Sequence, residues 1–354
     1  MKPLFAEPAT PETKPDFADI PEDILKKIGR RLAGEVEDGD VVYGSFSASA
    51  GYVLTLDSGI RVFAKGTHPG EMAHGTQHLR QEIAAYENLP VLKDVSPAYY
   101  SFVTDNDEDG WSLGLWEYIA PDAPAPTADT VRDIMTLLVR VHQSDVPAGA
   151  LRPAREQNFI SGFFQDEKKW RRLRDEEKTR DKFLSLFTSA ADGAAWLDHA
   201  LESLIAWQAD NATRVYVEGL IHGDLRLDNV LFGGGRVYLV DWPNACIGPV
   251  LFDLVFIAAH LESLGLCKAE DSIGAYRAAG GQPFVSDDAA TAELCAMLGA
   301  VSGYFADQAY RAVPEKLPRL RWMQKSMLLA CLNILSRFGK IESPPAFAGA
   351  APAA

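Results

Sequence analysis

Cysteine is scarce and unpaired in this chain. The four present, Cys246, Cys267, Cys295 and Cys331, form no CxxC pair and no cluster with His at zinc spacing. That argues against a disulfide framework or a structural zinc site, and the thiols read as reduced ones in a cytoplasmic protein. Positive charge is also in short supply. Against 49 Asp and Glu stand 34 Lys and Arg, a net charge of −15. Nucleic-acid binding, which favours a basic face, is therefore not expected. The same charge suits solubility and would draw a cationic small molecule. No apolar leader opens the chain: MKPLFAEPATPETKPDF lacks an h-region, so no signal peptide is expected. Long hydrophobic runs are missing too. The most apolar region, YLVDWPNACIGPVLFDLVFIAAHL, is interrupted by Asp241 and Asp253, and no membrane span is expected. A Walker phosphate loop, GxxxxGK[ST], occurs nowhere.

What remains is a soluble-type composition, 47% apolar and 23% charged over 354 residues, with room for one or two domains. Residues 1–20 are rich in Pro, Glu and Thr, and residues 343–354 in Pro and Ala, so both ends are expected as poorly ordered tails. PEDILKKIGRRL (21–32) predicts a short helix with Pro near its start. VVYGSFSASAGYVLTLDSGIRVFAKG (41–66) predicts two or three antiparallel strands broken by Gly44, Gly51 and Gly59. EMAHGTQHLRQEIAAYENL (71–89) has helical spacing, and PAYYSFVTDNDEDGWSLGLWEYI (97–119) reads as a hairpin turning at DNDEDG. Residues 21–119 are thus expected to form a small α+β lobe. Beyond the Pro-rich junction APDAPAPTADT, residues 120–342 are expected to form a larger, mainly helical lobe. Clefts between such lobes are favoured ligand sites.

The stretch IHGDLRLDNVLFGGGRVYLVD (221–241) sets carboxylates beside strands. GGG at 233–235 predicts a hairpin turn. A hairpin joins its ends, so Asn229 and Asp241 should face one another, with Asp224 on the loop beside them. Two carboxylates and a carboxamide oxygen are hard ligands of the kind Mg²⁺ takes, usually one or two from protein with phosphate and water completing the shell. An aspartate left off the metal can accept a proton from an attacking hydroxyl. Together these are the needs of phosphoryl transfer from a nucleotide. Taken singly, Asp224 and Asn229 read equally well as turn caps and Asp241 as a strand end. Arg226 either steadies the transferring phosphate or pairs with Asp228 or Asp241. Asp228 itself reads as a turn cap.

HGDLRLDN (222–229) followed by LVDWPNACIGPVLFDL (239–254) resembles the catalytic and metal-binding segments of the aminoglycoside phosphotransferase/choline kinase family, a branch of the protein-kinase-like fold. The resemblance implies a bilobal α+β fold with a small antiparallel-sheet lobe. It implies ATP and Mg²⁺ as cofactors, Asp224 as catalytic base, and Asn229 and Asp241 as metal ligands. His222 would position the catalytic loop, and Asp253 would hydrogen-bond its backbone. In RVFAKG (61–66) Lys65 matches the phosphate-binding lysine, and Glu82 matches the acid that pairs with it, with Glu87 as competitor. GSFSASAG (44–51) falls where a phosphate loop belongs, making Ser45, Ser47 and Ser49 candidates. LGLWEYIAPD resembles the connector whose backbone, at Glu117, Tyr118 and Ile119, would hydrogen-bond adenine. His142 matches a structural histidine.

The implied acceptor is a hydroxyl-bearing small molecule bound in the helical lobe. Asp253, Glu262, Asp271 and Asp307 with Tyr304, Tyr310 and Trp322 would suit an amine-bearing acceptor, or an ordinary acidic surface. EKKWRRLRDEEKTRDKF (167–183) reads as a solvated helix. Two other classes are open: a nucleotide-binding pseudokinase, disfavoured because Lys65, Asp224, Asn229 and Asp241 are all present, and a protein kinase. Asp241-Trp242-Pro243, in place of Asp-Phe-Gly, and the lack of Ala-Pro-Glu disfavour the latter. Neither the acceptor's identity nor the oligomeric state can be read from the residues.

Overall fold

The computed structural model describes residues 2–43, 49–69, 75–105, 110–122, 127–156, 158–164, 168–313, 315, 317–339 and 341–351. Strands β1 (Val36–Val41), β2 (Ala50–Leu56), β3 (Arg61–Thr67), β4 (Tyr99–Thr104) and β5 (Ser112–Glu117) make one antiparallel sheet, ordered β1-β2-β3-β5-β4. Because side chains alternate across a strand, β3 serves two faces. Val62 and Ala64 join Tyr52, Leu54, Leu113 and Leu115 in a core capped by Ile24 and Ile28 of α1 (Glu22–Leu32). Phe63 and Lys65 point the other way, toward α2 (Gly75–Asn88), whose Leu79 and Ile83 pack with Trp116. The sheet lobe closes with α3 (Leu92–Val95).

The second lobe is helical, as the sequence suggested. It contains α4 (Ala128–His142), α5 (Asn158–Phe164), α6 (Lys169–Asp175), α7 (Glu177–Leu184) and α8 (Ala190–Thr213). After two small strand pairs come α9 (Val250–Ser263), α10 (Ala269–Ala278), α11 (Ala290–Gln308) and α12 (Pro318–Phe338). Every residue of α9 is buried, the apolar majority with Asp253, His260 and Glu262 among them. In the strand pairs, β6 (Glu218–Ile221) runs antiparallel to β9 (Cys246–Pro249), and β7 (Val230–Gly233) pairs with β8 (Arg236–Leu239). The β7–β8 turn needs positive φ at both central residues, and Gly234 (58°) and Gly235 (70°) supply it. Asp122 takes the N–H groups of both, tying the interlobe connector to this hairpin.

Three expectations read differently here. Residues 2–20 are anchored at points along their length: Phe5 and Ile20 are buried, and Phe17 lies against Gly39 of β1. At the other end Phe347 is buried on Phe187. In each case one or two aromatics anchor a Pro-rich segment that composition alone would leave unordered. The segment 167–183 is not a solvated helix. It breaks near Glu176 into α6 and α7, and Trp170, Leu173 and Phe183 are buried, with Trp170 Nε1 donating to Gly299 O at 2.9 Å. All four cysteines are free thiols. Among the described residues no helix is long and apolar enough to cross a membrane.

Candidate active site

The loop after β6 is held from beneath by one side chain. Asp253 of α9 is 0% exposed, and its two oxygens accept the His222 N–H at 2.6 Å and the Gly223 N–H at 2.9 Å. Its Oδ2 also lies 3.4 Å from His142 Nε2, while His142 Nδ1 lies 2.7 Å from the Tyr276 hydroxyl. Gly223 has φ 83°, and a Cβ there would come within 2.5 Å of Asn244 O, so only glycine fits. His222 Nε2 donates to Val240 O at 2.8 Å, and its Nδ1 accepts the Asp224 N–H at 3.3 Å. Burial keeps that imidazole neutral by pushing its pKa down. His222 therefore braces the loop against the strand that leads to Asp241.

Asp224 is followed by a clamp. Arg226 Nη1 contacts Asp224 Oδ1, and its Nε and Nη2 reach both oxygens of Asp228 at 3.0 Å. Of the two sequence readings for Arg226, pairing is what the geometry gives, and Asp228 is its bidentate partner as well as part of a turn. Burial pushes Asp224 up to about 7, with Asp228 and Asp241 adding to the rise against the pull of Arg226. Leu227 N–H donates to His260 Nδ1 at 2.9 Å, which puts the proton of that neutral ring on Nε2. The sequence reading passed over His260. Its signal is that it lies seven residues beyond Asp253, on the same face of α9. Asn229 Nδ2 donates to Asp224 O at 2.8 Å, so its amide oxygen is the end left for another partner. Across the hairpin, Val240 N–H donates to Asn229 O at 3.0 Å, which sets the residue before Asp241 against Asn229.

From the sheet lobe comes the cation. Lys65 Nζ lies 2.7 Å from Asp241 Oδ1 and 2.8 Å from Glu82 Oε2. Burial alone would pull the ammonium down, but Asp241 and Glu82 together outweigh it and hold Lys65 above its ordinary value. Glu82, and not Glu87, is thus the partner acid, and it also takes the Trp242 backbone N–H. Asp241 has φ 71°, a left-handed conformation rare outside glycine and a known mark of functional sites. Trp242 pins it: the indole is buried against His222 at 4.5 Å and donates to Ser96 Oγ at 2.9 Å and Leu239 O at 3.2 Å. An ionised Asp241 oxygen and the Asn229 amide oxygen suit Mg²⁺, which takes few protein ligands alongside phosphate. Among the described residues no group of three or more His, Cys, Asp or Glu gathers as a metal cage.

The model of the phosphotransferase enzyme family matches residues 44–294. The chain belongs to that family. A homoserine kinase of Bradyrhizobium sp. (strain ORS 278) is 35% identical over 104 residues, 26% of this chain and 32% of that protein. The chain thus matches about a third of the length of that curated relative. A spectinomycin phosphotransferase solved with ADP and spectinomycin aligns over 88% of this chain and 94% of its own, with TM-score 0.56 and 13% identity. The choline kinase LicA of Streptococcus pneumoniae aligns over 87% and 98%, with TM-score 0.52 and 16% identity. The fold is the bilobal protein-kinase-like one.

Other residues expected to act at this site are placed less simply. Ser45 and Ser47 lie outside the described residues, and Ser49 immediately precedes β2. Glu117 ends β5 with its N–H donated to Ala98 O at 2.8 Å, so that amide is spent within the sheet lobe and is not open to adenine. Tyr118 lies beneath the Arg61 guanidinium at 4.3 Å, and Ile119 packs where a Cβ on Gly233 would strike it.

The acidic acceptor candidates already have partners within the fold. Glu262 takes Arg337 at 2.6 Å and 2.9 Å, Asp307 takes Arg172 at 3.3 Å and Arg311 at 2.6 Å, and Asp271 caps the start of α10. Asp253 is spent on the loop. Trp322 donates to Phe5 O at 3.4 Å. Tyr310 follows α11 close to Asp307 and Arg311. Burial pushes the Tyr304 phenol up, with Asp224 and Asp307 adding to the rise. Its ring stacks on Phe163 at 4.2 Å and carries Lys169 Nζ at 4.6 Å.

Proposed function

We propose that this phosphotransferase is a small-molecule kinase that transfers the γ-phosphate of ATP, bound with Mg²⁺, to an acceptor hydroxyl. The observation that carries the reading is the convergence of three groups from separate segments. Lys65 bridges Glu82 and Asp241, Asn229 stands across the hairpin from Asp241, and Asp224 lies in the loop whose carbonyl Asn229 holds. In this reading Lys65 holds the α/β-phosphates, with Glu82 fixing the direction of its ammonium. Asn229 and Asp241 would hold the metal, which when bound neutralises charge on the phosphates. Asp224, raised toward neutrality, accepts the acceptor's proton as its oxygen attacks phosphorus. Arg226 orients that carboxylate and offsets its charge. The adenine edge is read by the connector backbone beyond Glu117. The related spectinomycin enzyme was solved with ADP, which favours a nucleotide here as well.

Glu262 and Asp307 already face arginines, so these two acids do not by themselves select a cationic acceptor. The acceptor is a hydroxylated small molecule. Its class is tested by measuring ADP release with MgATP across aminoglycosides, macrolides, choline, amino sugars and homoserine. Acceptor-dependent ADP release supports the reading. No acceptor-dependent release, together with no thermal stabilisation by millimolar MgATP, would refute it.

A further inference from the structure

The helix beneath the catalytic loop holds it at two points. Before Asp224, Asp253 takes the N–H groups of His222 and Gly223. After it, His260 Nδ1 accepts the Leu227 N–H at 2.9 Å. Seven residues separate the two supports, so they share one face of α9, about 10 Å apart along its axis. Leu227 opens a single 3₁₀ turn, Leu227–Asn229, in which the Asn229 N–H donates to Arg226 O at 3.0 Å. The Asn229 side chain is tied back to Asp224 O at 2.8 Å. The His260 bond therefore enters the loop between Arg226, whose side chain clamps Asp224 and Asp228, and the turn that carries Asn229. As packing alone, an imidazole suits this place poorly. His260 is 3% exposed, and because its Nδ1 accepts an N–H, its Nε2 carries the ring proton. That Nε2–H meets no acceptor among the described residues. A buried donor without a partner destabilises a fold, and a phenyl ring would fill the same space without one. What the imidazole provides is its Nδ1.

We propose that His260 is the positioning residue for the metal-binding side of the catalytic loop: through Leu227 it sets the turn that presents the Asn229 amide oxygen. The proposal rests on the kinase reading above, in which Asn229 is a metal ligand. It divides the work of α9 between two side chains. Asp253 places the backbone that leads into the base, and His260 places the turn that follows it. Because α9 is buried along its whole length, both supports stand on one rigid element. Groups that orient a metal ligand from behind typically change metal affinity or activity by about 10- to 100-fold when removed.

The test uses the full chain and its His260→Phe and His260→Asn variants. Calorimetric titration gives the dissociation constant for ATP with Mg²⁺ and again in EDTA, and urea denaturation gives stability. Phenylalanine removes the acceptor of Leu227 and the unmatched Nε2–H together, two changes of opposite sign, so the urea midpoint should move little. Affinity for ATP with Mg²⁺ should fall by about tenfold or more, while affinity in EDTA stays that of the natural protein. His260→Asn keeps an accepting oxygen near the place of Nδ1 and should restore most of the loss. A His260→Phe protein that fails to fold, or that loses ATP affinity equally with and without Mg²⁺, shows a residue that only supports the fold, and overturns the proposal. Binding of MgATP by His260→Phe at the natural affinity also overturns it and leaves the kinase reading intact. A natural protein that binds ATP no better with Mg²⁺ than in EDTA overturns the proposal together with the metal assignment of that reading.

Discussion

Replacing Asp253 by asparagine probes how the loop bearing Asp224 is set. The carboxylate is fully buried and divides its two oxygens between the N–H groups of His222 and Gly223, at 2.6 Å and 2.9 Å. Asparagine has nearly the same shape but only one accepting oxygen. In either orientation its NH₂ faces one of those two N–H donors. A buried donor left unmatched costs about 1–3 kcal/mol, and the surviving bond loses its charge assistance, roughly another 1 kcal/mol. The expected destabilisation is about 2–4 kcal/mol, a large share of the ~5–15 kcal/mol that holds a typical domain. Urea denaturation of Asp253→Asn against the natural protein measures it. Asp253→Leu, which strands both donors, should be worse. The loop should also shift: a misplacement of about 1 Å at Asp224 lowers turnover by about 100-fold. MgATP affinity, set largely by Lys65, should change little. If Asp253→Asn unfolds at the same urea concentration and turns over normally, the clamp is not what positions the loop.

Lys65→Met leaves Glu82 and Asp241 facing one another without their ammonium, so MgATP affinity should fall by at least tenfold and stability by about 2–4 kcal/mol, read by calorimetric titration and urea melts. The pH dependence of kcat/KM follows Asp224, which burial pushes up to about 7. The base must be ionised, so kcat/KM should rise tenfold per pH unit below about 7 and level off above it; a profile flat from pH 5 to 9 contradicts the assignment. The same raised value makes this group favour the folded state at low pH, a contribution lost as pH rises through about 7. Chelation with EDTA should abolish turnover, and added Mg²⁺ should restore it, monitored by ADP release.

The backbone arrangement of the candidate site was largely legible because it is local. From His222 to Asp253 the participants are separated by one hairpin and the start of one helix, and the triple glycine fixes how the hairpin folds back. Lys65 and Glu82 were legible for a similar reason, since a strand and the next helix must pack together. Less legible was whatever depends on distant partners. Asp228 looked idle because its partner, Arg226, had two other readings that only three-dimensional placement could separate. Glu262 and Asp307 looked available until Arg337, Arg172 and Arg311 were seen to reach them. Polar composition hid the burial of Trp170 and Phe183 among charges on α6 and α7. Proline-rich composition likewise hid the docking of Phe5 and Phe347, because a few large aromatics are enough to order such a segment.

The measurement that bears most directly on the central claim is ADP formation from MgATP by the natural protein and by Asp224→Asn, across a panel of hydroxyl acceptors. Asparagine cannot take the proton, so acceptor-dependent turnover should fall by about 10²–10⁴-fold while MgATP still binds. Turnover by Asp224→Asn at the natural rate, with the same acceptor, would contradict the account.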